Sequence, residues 1–174
     1  MTSPDDQRAF RQALGQFATG VCIVTSRVDC ENLGMTMSSF NSLSLDPALV
    51  LFSIDKRAFS LPLWMRAEGY AIHVLEEGQQ ALSNRFASRG GDKWAGLDAD
   101  AGLYDAPLLP GVAARFECAR HEIHETGDHY LFIARVERFG IEASRRPLLF
   151  AGGRYGAIRS QTEDTPIWPL AIHY

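Results

Sequence analysis

Residues 34–47 read GMTMSSFNSLSLDP, a stretch in which hydroxyl side chains are interleaved with apolar ones. Its first half places Thr36, Ser38 and Ser39 beside Met37 and Phe40. Hydroxyls and free backbone N–H groups can hold a phosphate, so this stretch is a candidate anion-binding segment. Composition alone favours a simpler interpretation, a solvated edge strand, and it leaves both interpretations open.

Strand-like runs lie on both sides of this stretch. Residues 21–26 (VCIVTS) are β-branched and apolar, and residues 49–54 (LVLFSI) form a compact apolar run typical of a buried strand. Residues 27–34 are polar and predict a loop rather than a tight hairpin turn. Further strands are predicted over residues 70–75, 112–125, 129–141 and 147–150. The turn residues 126–128 predict a hairpin between the two longest runs.

Three helices are predicted around these strands. A capping-box spacing begins the first helix at Ser3, and Gly20 is its expected end. One face of this helix is apolar, with Phe10, Leu14 and Phe17. A second helix is predicted from Ser60, as its N-cap, to Ala67, and a third over residues 79–88.

Strands joined by loops, with few helices between them, predict the fold class. Regular helical crossovers are missing, which argues against a doubly wound sheet. A mainly β protein fits better, built as a closed or nearly closed antiparallel barrel with peripheral helices. The length of 174 residues predicts a single domain, with a core at about residues 10–158 and a tail over 159–174.

Composition excludes several classes of protein. The formal net charge of -4 argues against a nucleic-acid partner, which needs a basic surface. No run approaches the roughly 18 apolar residues of a membrane span, and the polar N-terminus does not resemble a signal peptide. An odd number of cysteines fits a reducing compartment, so a cytoplasmic protein is expected. Cys22 and Cys118 lie in apolar runs and are expected to be buried and inert.

Most motifs of catalytic chemistry are absent from the sequence. There is no G-x-G-x-x-G fingerprint after a strand, no Walker A motif and no G-x-S-x-G elbow. His121 and His124 are three residues apart, which on a regular strand points them to opposite faces. Because metal ligands must converge, no metal site is expected there.

The order of residues in several segments resembles the flavin reductase family. Residues 34–47 are similar to its G-x-T-x-S-S-F-x-S-(L/V)-S-x-x-P segment. Residues 19–25 resemble its opening T-G-V-x-(I/V)-V-T strand, and residues 127–129 its G-D-H turn. Residues 147–155 resemble its closing P-L-(L/V)-(Y/F)…G-x-(Y/F) stretch. The resemblance runs from about residue 10 to residue 155.

This resemblance implies an FMN-binding split barrel, an antiparallel Greek-key-like barrel, usually found as a homodimer. It implies hydride transfer to FMN or FAD from NADH or NADPH, with NADH favoured because no arginine cluster for a 2′-phosphate is evident. It also implies that reduced flavin passes to a separate flavin-dependent monooxygenase component. Such a mechanism uses the chemistry of the two bound ligands, which explains the absence of an acid–base dyad or a nucleophile.

The resemblance also assigns site residues one by one. His129 resembles the nicotinamide-side histidine of the family. The positions that resemble flavin contacts are Thr36, Met37, Ser38, Ser39, Phe40, Ser53, Asp55, Lys56, Ser60, Phe86, Arg89, Asp128, Arg154 and Tyr155. The sequence departs from the family at Ala151 and Gly152, where many relatives carry an aromatic residue or arginine, and this weakens the assignment of the last two positions.

Two other functions are compatible with the same motifs. One is a flavin-binding or redox-sensing module without catalytic activity. The other is a split-barrel oxidase that acts on a different substrate. NADH consumption with excess flavin separates them, because only a flavin reductase turns over free flavin.

Overall fold

The computed structural model describes residues 3–159. The predicted loosely packed tail from residue 160 lies outside these residues. Residues 3–159 contain three helices, α1 (Pro4–Leu14), α2 (Leu61–Trp64) and α3 (Gln80–Ala87), with a 3-10 turn at Leu103–Asp105. The strands are β1 (Thr19–Gly20), β2 (Cys22–Val28), β3 (Glu31–Met37), β4 (Asn41–Leu45), β5 (Ala48–Asp55), β6 (Gly69–Val74), β7 (Asp100–Ala101), β8 (Pro107–Leu108), β9 (Ala114–Thr126), β10 (His129–Ile141), β11 (Leu149–Ala151) and β12 (Arg154–Gly156).

Seven of these strands form one antiparallel sheet in the order β3-β2-β6-β9-β10-β5-β4. Its two edge strands, β3 and β4, are consecutive in the chain and are joined only by residues 38–40. The sheet must therefore curl until its edges meet, which makes a barrel that is split between β3 and β4. The predicted fold class, a mainly β split barrel with peripheral helices, is confirmed.

The barrel interior is filled by aromatic side chains from three strands and one helix. Phe52 stacks on Phe132 with ring centroids 5.1 Å apart, and Tyr70 meets Phe52 edge-on at 5.2 Å. Trp64 of α2 covers this group and is fully buried. Each such side chain contributes about 1.5–3 kcal/mol when it is fully buried, so this cluster dominates the stability of the barrel.

A second apolar cluster packs α3 against the outside of the barrel. It contains Val21, Ile23, Leu75, Phe86, Leu109 and Leu148. The small sheet β1-β11-β12 lies beside this cluster, and Phe150 and Tyr155 pack against it. The position of α3 matters for function because its C-terminal end borders the cleft described below.

The prediction of a loop over residues 27–34 is wrong. Arg27 and Val28 continue β2, and β3 begins at Glu31. Only Asp29 and Cys30 form the turn, both with positive φ (50° and 65°). A two-residue hairpin of this kind favours Asn or Asp followed by Gly, so a cysteine there hides the turn from sequence reasoning. The continuous pairing of β2 with β3 outweighs the backbone cost at Cys30.

The helix predictions hold in kind but not in length. The capping box at Ser3 is present, yet α1 ends at Leu14 rather than Gly20, because residues 19–20 pair with β11. The helix α2 stops well before Ala67. The Ser60 hydroxyl makes no capping bond there; it accepts a hydrogen bond from Trp64 Nε1 instead (3.1 Å).

The long hairpin of β9 and β10 turns at Gly127 and Asp128, as predicted. A β-bulge interrupts it, since Ile133 pairs with Glu122 while Ala134 pairs with Arg120. The bulge breaks the alternation on which the opposite-face expectation for the two histidines rested. The Glu122 carboxylate reaches both His124 Nε2 (2.7 Å) and His121 Nε2 (3.8 Å).

Two further observations concern the composition. Cys22 and Cys118 are buried, as predicted, and burial raises the pKa of each thiol to about 12. Within residues 3–159, no helix has the length and apolar character needed to cross a lipid bilayer.

Candidate functional site

A large cleft of about 1070 Å³ opens where three segments of the chain meet. The first is the β2–β3 hairpin with most of β3, over residues 30–36. The second is the loop from β5 into α2, over residues 55–60 apart from Lys56. The third is the end of α3 and the loop after it, over residues 86–94. These segments are far apart in sequence, and only the curled sheet brings them together.

The floor of the cleft is an aromatic pair that rests on a glycine. A Cβ atom on Gly34 would lie 2.2 Å from the Phe86 ring, so only glycine lets that ring pack against β3. Trp94 meets Phe86 edge-on at 5.0 Å and donates a hydrogen bond from Nε1 to the Asn32 carbonyl (2.9 Å). The Gly34 of the family-like motif therefore serves the packing of α3.

The hydroxyl of Thr36 ties β3 to α3. Its Oγ1 donates to the Ser83 carbonyl (2.7 Å). Ser83 in turn shares a hydrogen bond with the Tyr155 hydroxyl (2.9 Å), which also donates to Asn84 Oδ1 (2.8 Å). Thr36 thus lines the cleft and anchors its wall, whereas Tyr155 supports α3 from the β12 side and does not line the cleft.

Two cations follow α3 in the loop that closes this wall. Lys93 Nζ donates to the Phe86 carbonyl (2.9 Å) at the end of α3, and it lies 3.5 Å from the Gly34 carbonyl. Partial burial lowers the pKa of Lys93. Arg89 is exposed, and the chain turns just after it through Gly90 and Gly91, both with positive φ (77° and 74°).

The opposite rim is formed by a charged turn after β5. Arg57 binds the Asp55 carboxylate through two nitrogens, with the shorter contact at 2.7 Å. These hydrogen bonds hold the pKa of Asp55 well below its usual range. Lys56 points away from the cleft and joins this turn to the β9–β10 hairpin, donating to Glu125 Oε1 and to the Gly127 carbonyl, both at 2.6 Å.

His129 lies on this rim because it is the register partner of Asp55. Its Nδ1 is 2.6 Å from Asp128 Oδ1, and the imidazole lowers the pKa of that carboxyl. A carboxylate only accepts hydrogen bonds, so Nδ1 carries the proton. The ring is 40% exposed, which leaves Nε2 available to a ligand.

The link between β3 and β4 is used mainly by the fold. Met37 is buried in the barrel, and Phe40 packs on Phe116 at 5.6 Å. Ser39 Oγ accepts a hydrogen bond from the Ser53 amide (3.0 Å) and donates one to the Ser53 carbonyl (3.3 Å). These two hydrogen bonds connect the β3–β4 link to β5. Ser38 is exposed.

The structure brings part of the predicted set into one cleft. Five predicted residues line it: Thr36, Asp55, Ser60, Phe86 and Arg89. His129, Asp128 and Lys56 lie on the adjacent rim, and Arg154 is exposed on β12. The roles of all these residues in binding stay predictions.

Sequence reasoning missed most of the residues that line the cleft. Among them are two cations, Arg57 and Lys93, and two aromatic residues, Phe59 and Trp94. Arg57 follows Asp55 and Lys56 in one turn, which was a weak signal. Lys93 and Trp94 follow a glycine pair in a segment with no periodicity, so only the tertiary contacts reveal them.

Residues 14–159 match the family model described as a flavin reductase like domain. The chain belongs to the flavin reductase-like family. The chain is 41% identical over 157 residues, 90% of its length and 89% of the relative's, to the FMN reductase (NADH) SmoA of Agrobacterium fabrum. It is 40% identical over 163 residues to the flavin-dependent monooxygenase reductase subunit HsaB of Rhodococcus jostii, covering 94% of this chain and 84% of that one.

Solved structures agree with this assignment. Nitrilotriacetate monooxygenase component B homolog from Mycobacterium thermoresistibile superimposes with a TM-score of 0.89 at 36% identity, over 98% of this chain and 96% of that one. The NADH:FAD oxidoreductase SgcE6 of Streptomyces globisporus, solved with NAD and FAD fragments, gives 0.84 at 35% identity, over 95% and 99%. The predicted enzyme class, a flavin reductase that uses a nicotinamide, is confirmed.

Proposed function

We propose that this flavin reductase binds FMN or FAD in the cleft and transfers a hydride to it from NADH. The observation that carries the proposal is the cleft itself. Its volume of about 1070 Å³ is at the top of the usual range for ligand pockets, about 300–1,000 Å³, and suits two ligands side by side. An aromatic floor and cationic walls fit planar rings that carry phosphates.

The residues of the cleft fit the two ligands by their chemistry. Bound flavin and nicotinamide supply the redox chemistry, as in cofactor enzymes generally. The chain holds the two rings in contact and shields them from water. Phe86 and Trp94 provide the apolar surface for this, while Gly34 allows close approach of the α3 wall.

The phosphate end of the flavin is proposed to lie near the loop after α3. Arg89 is an exposed cation on the cleft wall, and Lys93 lies beside it in the same loop. Ser38, exposed on the β3–β4 link outside the cleft lining, is a further candidate hydroxyl for the phosphate. Thr36 and Ser39 are proposed to act mainly by holding α3 and β5 in place, because their protons are already donated within the chain.

His129 is proposed to position the nicotinamide. Asp128 orients its ring through Nδ1, so Nε2 is left to accept a hydrogen bond from a ligand at the rim. The role is alignment rather than proton transfer, since hydride transfer first requires the two reacting carbon and nitrogen atoms to be in line.

Two assemblies complete the proposal. Relatives include reductase subunits of flavin-dependent monooxygenases, and we propose that this chain likewise supplies reduced flavin to such a component. We also propose a homodimer. Apolar side chains exposed on α1, just after α1 and on β4 support it: Phe10, Leu14, Phe17, Leu43 and Leu45. Light scattering that shows only monomer at micromolar concentration, with full activity, would contradict the dimer.

The test of the proposed function is anaerobic. Protein and FMN or FAD are mixed with NADH, and flavin bleaching is followed together with NADH oxidation. We expect catalytic turnover of excess free flavin. Binding of flavin without NADH oxidation would instead support a non-catalytic module, and oxidation only with another acceptor would support a different oxidase.

A single domain and a cytoplasmic location stay predictions.

A further inference from the structure

Phe59 is a fully exposed aromatic side chain that borders the cleft. Among the large apolar side chains exposed in residues 3–159, it is the most exposed. Burying a phenyl ring stabilises a protein or a complex by about as much as burying a core side chain, and Phe59 does not gain this stabilisation while its ring is in water. A ligand in the cleft is therefore the natural partner for this ring.

The loop that carries Phe59 is anchored on both sides. Ala58 packs against the barrel core, and its amide donates to the Asp55 carbonyl (2.9 Å). The Ser60 hydroxyl is held by Trp64 Nε1. The Leu61 amide donates back to the Ala58 carbonyl (3.0 Å). The exposure of the ring is thus a property of an ordered loop.

The position of Phe59 selects which part of a ligand it meets. The reacting rings require enclosure from water, and the cleft offers it at the floor, where Phe86 is buried and Trp94 half-buried. A fully exposed ring marks the mouth, which only the non-reacting end of an extended ligand reaches. In a dinucleotide that end is an adenine ring, and the neighbouring Arg57 adds a cation for the pyrophosphate.

We infer that Phe59 is a stacking platform for the adenine ring of a dinucleotide bound in this cleft. The inference rests on the proposed function. Adenine is present in both FAD and NADH, and the aromatic ring recognises the same purine in either. Phe59 then sets a preference for adenine-bearing ligands over mononucleotides without touching the reacting atoms.

The experiment compares ligands that differ only in adenine. Wild type, Phe59→Ala and Phe59→Tyr are assayed with FAD against FMN, and with NADH against reduced nicotinamide mononucleotide. Phe139→Ala is the matched control, because Phe139 is also exposed but lies on β10 away from the cleft. Loss of stacking should raise the KM ratio of dinucleotide to mononucleotide about three- to tenfold in one of the two pairs.

Each outcome decides between sources or rejects the inference. A change only in the FAD:FMN ratio assigns the platform to the flavin, and a change only in the donor ratio assigns it to NADH. Phe59→Tyr should restore the wild-type ratio. Unchanged ratios in both pairs, or equal losses for mononucleotides and dinucleotides, would overturn the inference. Wild-type protein that oxidises no NADH with either flavin would refute the proposed function instead.

Discussion

The barrel wall and the rim of the cleft each contain a histidine, and the two are used in opposite ways. His73 in β6 is fully buried. Its Nδ1 donates to the Ile23 carbonyl (3.0 Å), and its Nε2 accepts from the Leu109 amide (3.1 Å). Burial lowers the pKa of His73 to about 4. His129 is partly exposed, and within residues 3–159 only one of its nitrogens is occupied, by Asp128.

The carboxylates repeat this contrast. Glu117 in the wall is buried and accepts from the Leu103 amide (2.9 Å), with Arg138 at 3.5 Å and Arg115 at 3.7 Å. Asp128 on the rim is largely exposed and bonds only through His129 among the side chains described. In the wall, His73 and Glu117 both have polar partners, because an unpaired buried polar group is costly. The buried Tyr70 hydroxyl is an exception, with no hydrogen-bond partner within residues 3–159. On the rim, the side chains of His129 and Asp128 are exposed to solvent, so a ligand can reach their polar atoms.

The largest expected effect is the pH dependence of stability that the buried His73 in the barrel wall produces. The folded-state pKa of His73, about 4, is below the ordinary value of 6.5, so the unfolded chain binds the proton first. The contribution of neutral His73 to the free energy of unfolding is therefore complete above pH 6.5, and it is lost as the pH falls towards 4. We expect a loss of about 3 kcal/mol in the free energy of unfolding over this window.

Urea unfolding at several pH values measures this loss. His73→Gln should flatten the acid side of the stability curve relative to wild type. If the variant has the same pH dependence as wild type, His73 does not titrate on unfolding.

The next largest expected effect on stability tests the packing of α3 against β3 at the floor of the cleft. Gly34→Ala places a methyl group 2.2 Å from the buried Phe86 ring, and the overpacking should cost about 1–3 kcal/mol of stability. Gly140→Ala is the matched control, because nothing lies within 4 Å of its added Cβ. Chemical denaturation compares the two. Equal free energies of unfolding for the two variants would show that α3 shifts at little cost. The packing of the cleft floor would then tolerate added volume.

A kinetic effect tests the rim. His129→Ala should slow flavin reduction by NADH, or raise the NADH constant, about five- to thirtyfold, equivalent to about 1–2 kcal/mol. Flavin affinity and melting temperature should change little, because the ring is partly exposed and has one partner. Rapid-mixing reduction of flavin-loaded protein measures the rate. Normal reduction combined with a lower melting temperature would make His129 a structural residue.

The smallest expected effect on stability separates two adjacent serines. Ser39→Ala removes both hydrogen bonds to Ser53 and should lower stability by about 1 kcal/mol. Ser38→Ala should change stability by less than about 0.5 kcal/mol, because Ser38 is exposed. If Ser38 contacts the flavin phosphate, the same change should weaken flavin binding by about 1.5–3 kcal/mol. Wild-type affinity in both variants would remove the pair from the binding site.

Much of this protein could be predicted because the signals are local. The apolar run before Asp55 became β5, and the Gly127 turn became a hairpin, since strand period and turn chemistry depend on neighbours in sequence. The ordered motif over residues 34–47 identified the family. The turn at Cys30 was missed for the same reason, because its residues lack the local preference that such turns usually show.

The sequence by itself determined the family, the order of the strands and the residue types available to a ligand. Tertiary structure alone decided which of them are free. Thr36 and Ser39 resemble ligand contacts in sequence, yet their hydroxyl protons are donated to Ser83 and Ser53. Arg57 became part of the cleft only when the curled sheet brought distant segments together. Hydrogen-bond partners and burial depend on contacts between distant segments, and no local pattern encodes those contacts.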